Sequence, residues 1–292
     1  MTVVALLAVG CHKEQIDIAL NLHPGDERTA VRTTRSKDTV VVKGTPLKAQ
    51  AISEIHYEFK VARVDNDGNT MIDAVISSTT FDESTDTGRG VIIPFQNARG
   101  RSPIGEIMDK LARKSFSFVL SPKVEVLSMK GTAEIRKALE TEVDLATIKD
   151  SEAWTPAQRK EFAARYLDYA SEESFKANIE ELFHVLPPGP ATTGTSWSLP
   201  PIKDTNADGL LTRGLAIKET TPTRVVIHEQ STIAPIEGSK AIVTGTQEGT
   251  IKIDPVTGLS SRQEYKLLIT GTNATDTSFH DSSEESTIIE MY

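Results

Sequence analysis

Ile55-His-Tyr57-Glu-Phe59-Lys-Val61-Ala-Arg-Val64 alternates apolar and polar residues, and Asp65-Asn66-Asp67-Gly68 follows it. Thr70-Met-Ile72-Asp-Ala74-Val-Ile76 then returns with the same period. A period of two sets one strand face on a core and the other in water. Asp-Gly supplies the positive φ that a tight hairpin needs. These residues are therefore predicted to form an antiparallel hairpin, and the same pattern recurs on both sides of it. Upstream lie Ile16-Asp-Ile18-Ala-Leu20 and Thr39-Val-Val-Val42. After Gly194 come Trp197-Ser-Leu199, Arg224-Val-Val-Ile227, Ala241-Ile-Val-Thr244, Thr250-Ile-Lys-Ile253, Glu264-Tyr-Lys-Leu267-Leu-Ile269 and Ser286-Thr-Ile288-Ile289. Asp254-Pro255-Val-Thr257-Gly258 is a turn between two of them.

The centre of the chain changes period. Ser102-Pro103 is an N-cap with proline at the first helical position, leading through Ile104, Ile107, Met108 and Leu111. A strand pair follows at residues 116–120 and 124–127, and helical spacing resumes through Ile135, Leu139 and Ile148. Thr155-Pro-Ala-Gln158 is a capping box for a second helix, and residues 172–184 carry Phe175, Ile179 and Leu182 on one face. Leu186-Pro-Pro-Gly-Pro190 ends that helix. The expected fold is α+β and β-dominated, with two antiparallel β-rich halves joined by a helical middle segment. The expected divisions are a signal segment at 1–11, a first β-rich half at 12–131, helices at 132–190 and a second half at 191–292. Residues 16–292 are expected to form one unit. Phe118-Val-Leu120-Ser-Pro122-Lys lies on Ile251-Lys-Ile253-Asp-Pro255-Val, an echo that diverged duplication or plain turn chemistry would both produce.

Composition excludes several classes. The 292 residues carry 32 basic and 41 acidic side chains, a net charge of −9, which argues against nucleic acid because phosphate affinity comes from clustered Lys and Arg. One cysteine cannot build a disulfide scaffold. Its position is informative, however. Met1-Thr-Val-Val-Ala-Leu-Leu-Ala-Val-Gly10-Cys11 is an apolar run that turns polar at His12-Lys13. It is too short to span a bilayer, which needs about 20 residues. It has the form of an export signal with small residues before the cut, and Ala8-Val-Gly-Cys11 resembles a bacterial lipobox. No Lys or Arg precedes the run, and the leucine stands at Leu7. The alternative is a first strand with a buried free thiol. Lipidation of Cys11 is the reading adopted, and multiple acylation there would anchor the chain to a membrane. His12, not Asp, follows the cysteine, which favours the outer membrane.

Elsewhere the chain resembles a family of uncharacterised bacterial lipoproteins classed as a domain of unknown function. The resemblance lies in Ser115-Phe-Ser-Phe-Val-Leu-Ser-Pro-Lys-Val-Glu-Val-Leu-Ser-Met-Lys-Gly131, in the Pro-rich run at 186–190 leading to Gly194-Thr-Ser-Trp197, and in the turn from Asp254 to Gly258. Where the family has glycine in the first turn, this chain has Lys123. The resemblance covers residues 16–292 and implies neither catalytic residues nor a cofactor.

Catalytic and metal motifs find little support. Asp204-Thr-Asn206-Ala-Asp208-Gly209 opens like a calcium loop, but Leu215 stands where a bidentate glutamate should close the sphere. A surface turn using Asx chemistry accounts for the same residues. The six histidines lack zinc-ligand spacing, and no nucleophile elbow, Walker loop or dinucleotide fingerprint occurs. Trp154 and Trp197 are candidate ligand platforms, against a helix staple and a core anchor respectively. No cofactor is expected. The function expected is a non-enzymatic, membrane-anchored envelope lipoprotein that binds an apolar ligand or an envelope component. The alternatives are a structural or protein-docking lipoprotein, or a hydrolase with dispersed residues.

Overall fold

The alternation at residues 55–64 is the lower half of a longer strand. In the computed structural model, β2 (Thr45–Val64) is 20 residues long and pairs with β1 (Glu27–Val42) and β3 (Thr70–Asp86). Short β4 (Ile92–Pro94) adds to β3, then come α1 (Pro103–Leu111), β5 (Ser115–Leu120), β6 (Val126–Lys130), α2 (Thr132–Glu142) and α3 (Glu172–Phe183). The second β-rich region holds β7 (Ser196–Ser198), β8 (Ile202–Asp204), β9 (Gly209–Thr221), β10 (Arg224–Pro235), β11 (Ala241–Ile253), β12 (Ser260–Asn273) and β13 (Asp276–Met291). The structure describes residues 15–42, 45–86, 92–94, 103–142, 155–156, 167, 170–183, 186–204, 209–237, 241–273 and 276–292.

The two β-rich regions are one sheet. Its order is β6-β5-β3-β2-β1-β13-β12-β11-β10-β9-β7, with all recorded pairings antiparallel. The seam is the pairing of β1 with β13, from Ala30↔Met291 to Val41↔His280. Antiparallel register fixes two ends. The base carries the β2–β3, β5–β6, β9–β10 and β11–β12 turns; the rim carries the far ends of β1, β2 and β8 to β13. Among the described residues no helix is long and apolar enough to cross a membrane.

Helix α3 shows that the sheet curls. Ser171 Oγ accepts from the Ser174 N–H as its N-cap, and Glu172 and Glu173 suit the positive end of the helix. Its buried stripe is Phe175, Ile179, Leu182 and Phe183. The Phe183 ring lies 5.2 Å from Phe59 on β2 and 5.7 Å from Phe118 on β5. On the other flank, the Leu182 carbonyl accepts from Gln263 Nε2 at 2.7 Å and from Ser260 Oγ at 3.1 Å, both on β12. Five strand spacings separate β5 from β12, about 24 Å in a flat sheet, whereas a helix is only about 10–12 Å across. The sheet must therefore wrap around α3. Burying rings such as Phe118 and Phe183 stabilises this arrangement by roughly 2–3 kcal/mol each.

The N-terminal alternation Ile16-Asp-Ile18-Ala-Leu20, predicted as a strand, is instead an extended strap across the base with a single bridge, Ile16↔Ala191. Ile18, Leu20 and Leu22 are buried, but the backbone bonds to turns rather than to a neighbouring strand. The Leu20 N–H donates to the Pro122 carbonyl and the Asn21 N–H to the Thr257 carbonyl, each at 2.9 Å. Lys123 Nζ donates to Asp17 Oδ1 and to the Ile18 carbonyl, both at 2.8 Å. The two Pro turns that echo each other in sequence are thus tied together by one segment. At the second, Gly258 has φ +73°, and a Cβ there would stand 2.3 Å from the Ala19 oxygen. At the first, Val124 takes the left-handed conformation, φ 72°, beside Lys123.

Candidate binding face within the curl

Above the phenylalanine core, the inward face of the sheet becomes polar. Glu229 on β10 is fully buried, 0% exposed, and its carboxylate accepts from four donors. Oε1 accepts from Arg213 Nε at 2.9 Å, Ser231 Oγ at 2.7 Å and Gln247 Nε2 at 3.0 Å, and Oε2 accepts from an Arg213 terminal nitrogen at 2.6 Å. Burial pulls the Arg213 guanidinium down, but the hydrogen bonds and charge of Glu229 more than offset it and hold it above its ordinary value. A buried carboxylate with four donors on it is a strut between strands.

A second charged group lies across the curl. Arg32 on β1 pairs with Glu181 of α3 at 2.9 Å and donates to Asn178 Oδ1. Its Nε is buried with no partner among the described residues. Burial lowers the Arg32 pKa, while Glu181 and Glu285 raise it, with a net upward result. Tyr57 and Tyr265 border this belt. Burial pushes the Tyr57 phenol up to about 12. Burial and then the Glu229 charge push Tyr265 well above its ordinary value, and its hydroxyl donates to Gln263 Oε1 at 2.6 Å.

Beyond the belt, toward the rim, a second apolar cluster faces the same interior. Ile233 and Val243 are buried, with Leu211, Leu267 and Ile269 packed against them. The main core and this cluster are separate, with Arg213, Glu229 and Gln247 on the strand positions between them. Across from it, Glu83 on β3 is pushed up by burial and then by Asp38. The inward surface is thus banded from base to rim, apolar, then polar, then apolar on the β9–β12 side.

Of the residues singled out in sequence, Trp197 lies on the edge strand of the sheet and Asp204 at its rim, and the others lie outside the described residues. Trp197 on β7 stands opposite inward-facing Leu215 and packs against the main core, its indole nitrogen buried with no partner among the described residues. Asp204 ends β8 and pairs with Gly209, and residues 209–215 run as β9, so a strand occupies the second half of the calcium-loop pattern. Cys11, Trp154, Asn206 and Asp208 lie outside the described residues. Two shallow depressions of about 420 and 400 Å³ meet at His228 on the outer face, lined by polar residues such as Glu248, Glu264, Lys266 and Gln230. Among the described residues no group of His, Cys, Asp and Glu could hold a metal ion.

The banded interior was not legible as a motif. Its members stand on strands far apart in sequence, and the signal along β9 to β11 is Arg213, Glu229, Ser231 and Gln247 interrupting the run of apolar inward positions.

The fold is similar to that of lipovitellin, with a TM-score of 0.50 at 8% identity over 93% of this chain. The chain spans only 25% of the length of that protein. It also aligns with the translocator domain of the autotransporter NalP from Neisseria meningitidis, at TM-score 0.24 and 7% identity over 92% of this chain and 89% of that one. An outer membrane channel from Pseudomonas putida F1 aligns at TM-score 0.25 and 7% identity, over 94% of this chain and 97% of the channel. The search of curated proteins found no match. Residues 67–260, which hold the decisive hairpin's return strand, α3, the belt residues Arg213, Glu229 and Gln247, and Leu211, Ile233 and Val243 of the second apolar cluster, match one family over most of the chain. The protein belongs to the family of unknown function DUF6263.

Proposed function

We propose that the protein is a membrane-anchored cell-envelope lipoprotein that binds an apolar ligand, or an apolar part of an envelope component, within the curl of its sheet. The reading involves no catalysis. The observation that carries it is the second apolar cluster: Ile233, Val243, Leu211, Leu267 and Ile269 face the interior but lie apart from the core that holds the fold together. Curved sheets with apolar linings and a few fixed polar groups suit apolar ligands. The likeness of fold to lipovitellin, whose structure was described for its lipid–protein interactions, supports the same reading. Anchoring rests on Cys11 and the apolar run before it, and His12 favours the outer membrane as its location.

The alternatives draw less support. Exposed aliphatic residues of the outer face, such as Ile52, Leu210, Ile242 and Leu268, stand on separate rungs and form no broad docking patch. For a hydrolase, Glu229 is engaged by Arg213, and among the described residues His56 pairs with Glu54 while His228 lies on the outer face. Two measurements test the proposal. Metabolic labelling with a palmitate analogue should mark the wild type and not Cys11→Ala. Organic extraction of protein purified from membranes should yield a bound apolar compound in stoichiometric amount; labelling of both proteins, or an empty extract from folded protein, would sink the respective half.

A further inference from the structure

We infer that the base of the sheet is the surface that lies against the lipid bilayer, an inference that rests on the lipid anchor proposed above. The strap fixes where the anchor must sit. Gln15 begins the described chain, and Ile16 exchanges two backbone hydrogen bonds with Ala191, at 2.9 and 2.7 Å. From there the strap runs beneath both Pro turns, bonded to Pro122, Lys123 and Thr257. Cys11 is four residues before Gln15, so even a fully extended link is at most about 14 Å. An acyl chain on Cys11 therefore holds the base, and not the rim, within about 14 Å of the membrane surface.

A second, independent feature marks the same end. Among the described residues, the two most exposed large hydrophobic side chains are Val256, 67%, and Tyr292, 69%. Both are at the base. Val256 is at the tip of the β11–β12 turn, which the strap itself holds through Asn21 Nδ2 on the Val256 carbonyl at 3.2 Å. Tyr292 follows β13 and is locked to Thr29 by reciprocal backbone bonds of 3.1 and 2.9 Å. Tyrosine, whose hydroxyl here donates to Glu290 Oε2 at 3.0 Å, settles at a bilayer interface, and an exposed aliphatic tip gains by leaving water there. In this orientation the strands stand away from the membrane, and the second apolar cluster lies toward the aqueous side.

The test uses the full chain, matured in a bacterial host and reconstituted in phosphatidylcholine–phosphatidylglycerol vesicles. Bimane is attached to Val256→Cys or to Ile242→Cys, an exposed site toward the rim and about 36 Å away along β11. Quenching by nitroxide-labelled lipid should be at least fivefold stronger at position 256. Equal quenching, or stronger quenching at 242, overturns the orientation while leaving the anchor standing. Failure of the unlabelled wild type to float with vesicles overturns both, and flotation of Cys11→Ser equal to wild type overturns the anchor and the argument built on its reach. Circular dichroism of both variants guards against misfolding, and Val256→Ser with a label at Tyr292→Cys supplies a second reporter at the base.

Discussion

The guanidinium of Arg213 on β9 and the carboxylate of Glu229 on β10 meet two-on-two, at 2.9 and 2.6 Å, with Glu229 0% exposed and the Arg213 side chain 12% exposed. The pair forms the floor of the second apolar cluster and the ceiling of the main core. Removing one partner of a buried ion pair leaves a stranded charge, whereas removing both replaces it with apolar packing. Arg213→Met is expected to cost roughly 3–5 kcal/mol, and Arg213→Met/Glu229→Met to recover most of that loss. Urea denaturation of the single and double variants checks it; a double variant as unstable as the single would show that the pair is not coupled.

Alkaline pH should weaken the fold through Tyr57. Its folded-state pKa is raised to about 12, so the folded protein keeps the phenolic proton that the unfolded chain loses near pH 10. Stability is therefore complete below about pH 10 and falls as pH rises toward 12, by about 1.4 kcal/mol per unit. Tyr57→Phe should remove this slope, so that the variant gains on the wild type by roughly 3 kcal/mol between those limits. Denaturant midpoints across the range give the answer, and parallel curves for the two proteins would contradict it.

The strap depends on Gly258 for space as well as for backbone freedom. Gly258→Ala places a Cβ 2.3 Å from the Ala19 oxygen at φ +73°, whereas Gly25→Ala, at φ +93°, meets nothing within 4 Å. The second should cost only the left-handed conformation, about 1–2 kcal/mol. The first should cost more and should also release the strap, seen as faster proteolytic cleavage within residues 15–22. Equal cleavage rates would mean that the strap does not need this close approach.

How much of this was legible in the sequence follows from which faces the strands bury. β2, β3, β5 and the base halves of β10 and β11 read clearly, because one face meets the phenylalanine core and the other meets water. Most of β1 did not: its inward positions Arg32, Thr34, Ser36 and Asp38 are polar, so a period of two has no apolar member to show. β13 hides for the same reason along residues 282–287, and the first residues of β9 read as the second half of a calcium loop that Asp204, Asn206 and Asp208 open. The helices were legible from caps and spacing, and α3 ends at Phe183, close to its predicted limit. That two β-rich regions merge at the β1–β13 seam is a long-range fact, since the two strands stand at opposite ends of the chain. The polar belt needed the curl before its members could meet.

Apolar binding within the curl is the central claim, and Val243 tests it most directly. The full-length protein is titrated with a fluorescent fatty-acid analogue beside Val243→Asp, which sets a carboxylate in the second apolar cluster, and beside Ile52→Asp, the same change on the outer face. Saturable binding by the wild type and by Ile52→Asp, weakened at least tenfold in a folded Val243→Asp, is the expected result. Absence of saturable binding by the wild type, or equal affinity in all three proteins, would contradict the account.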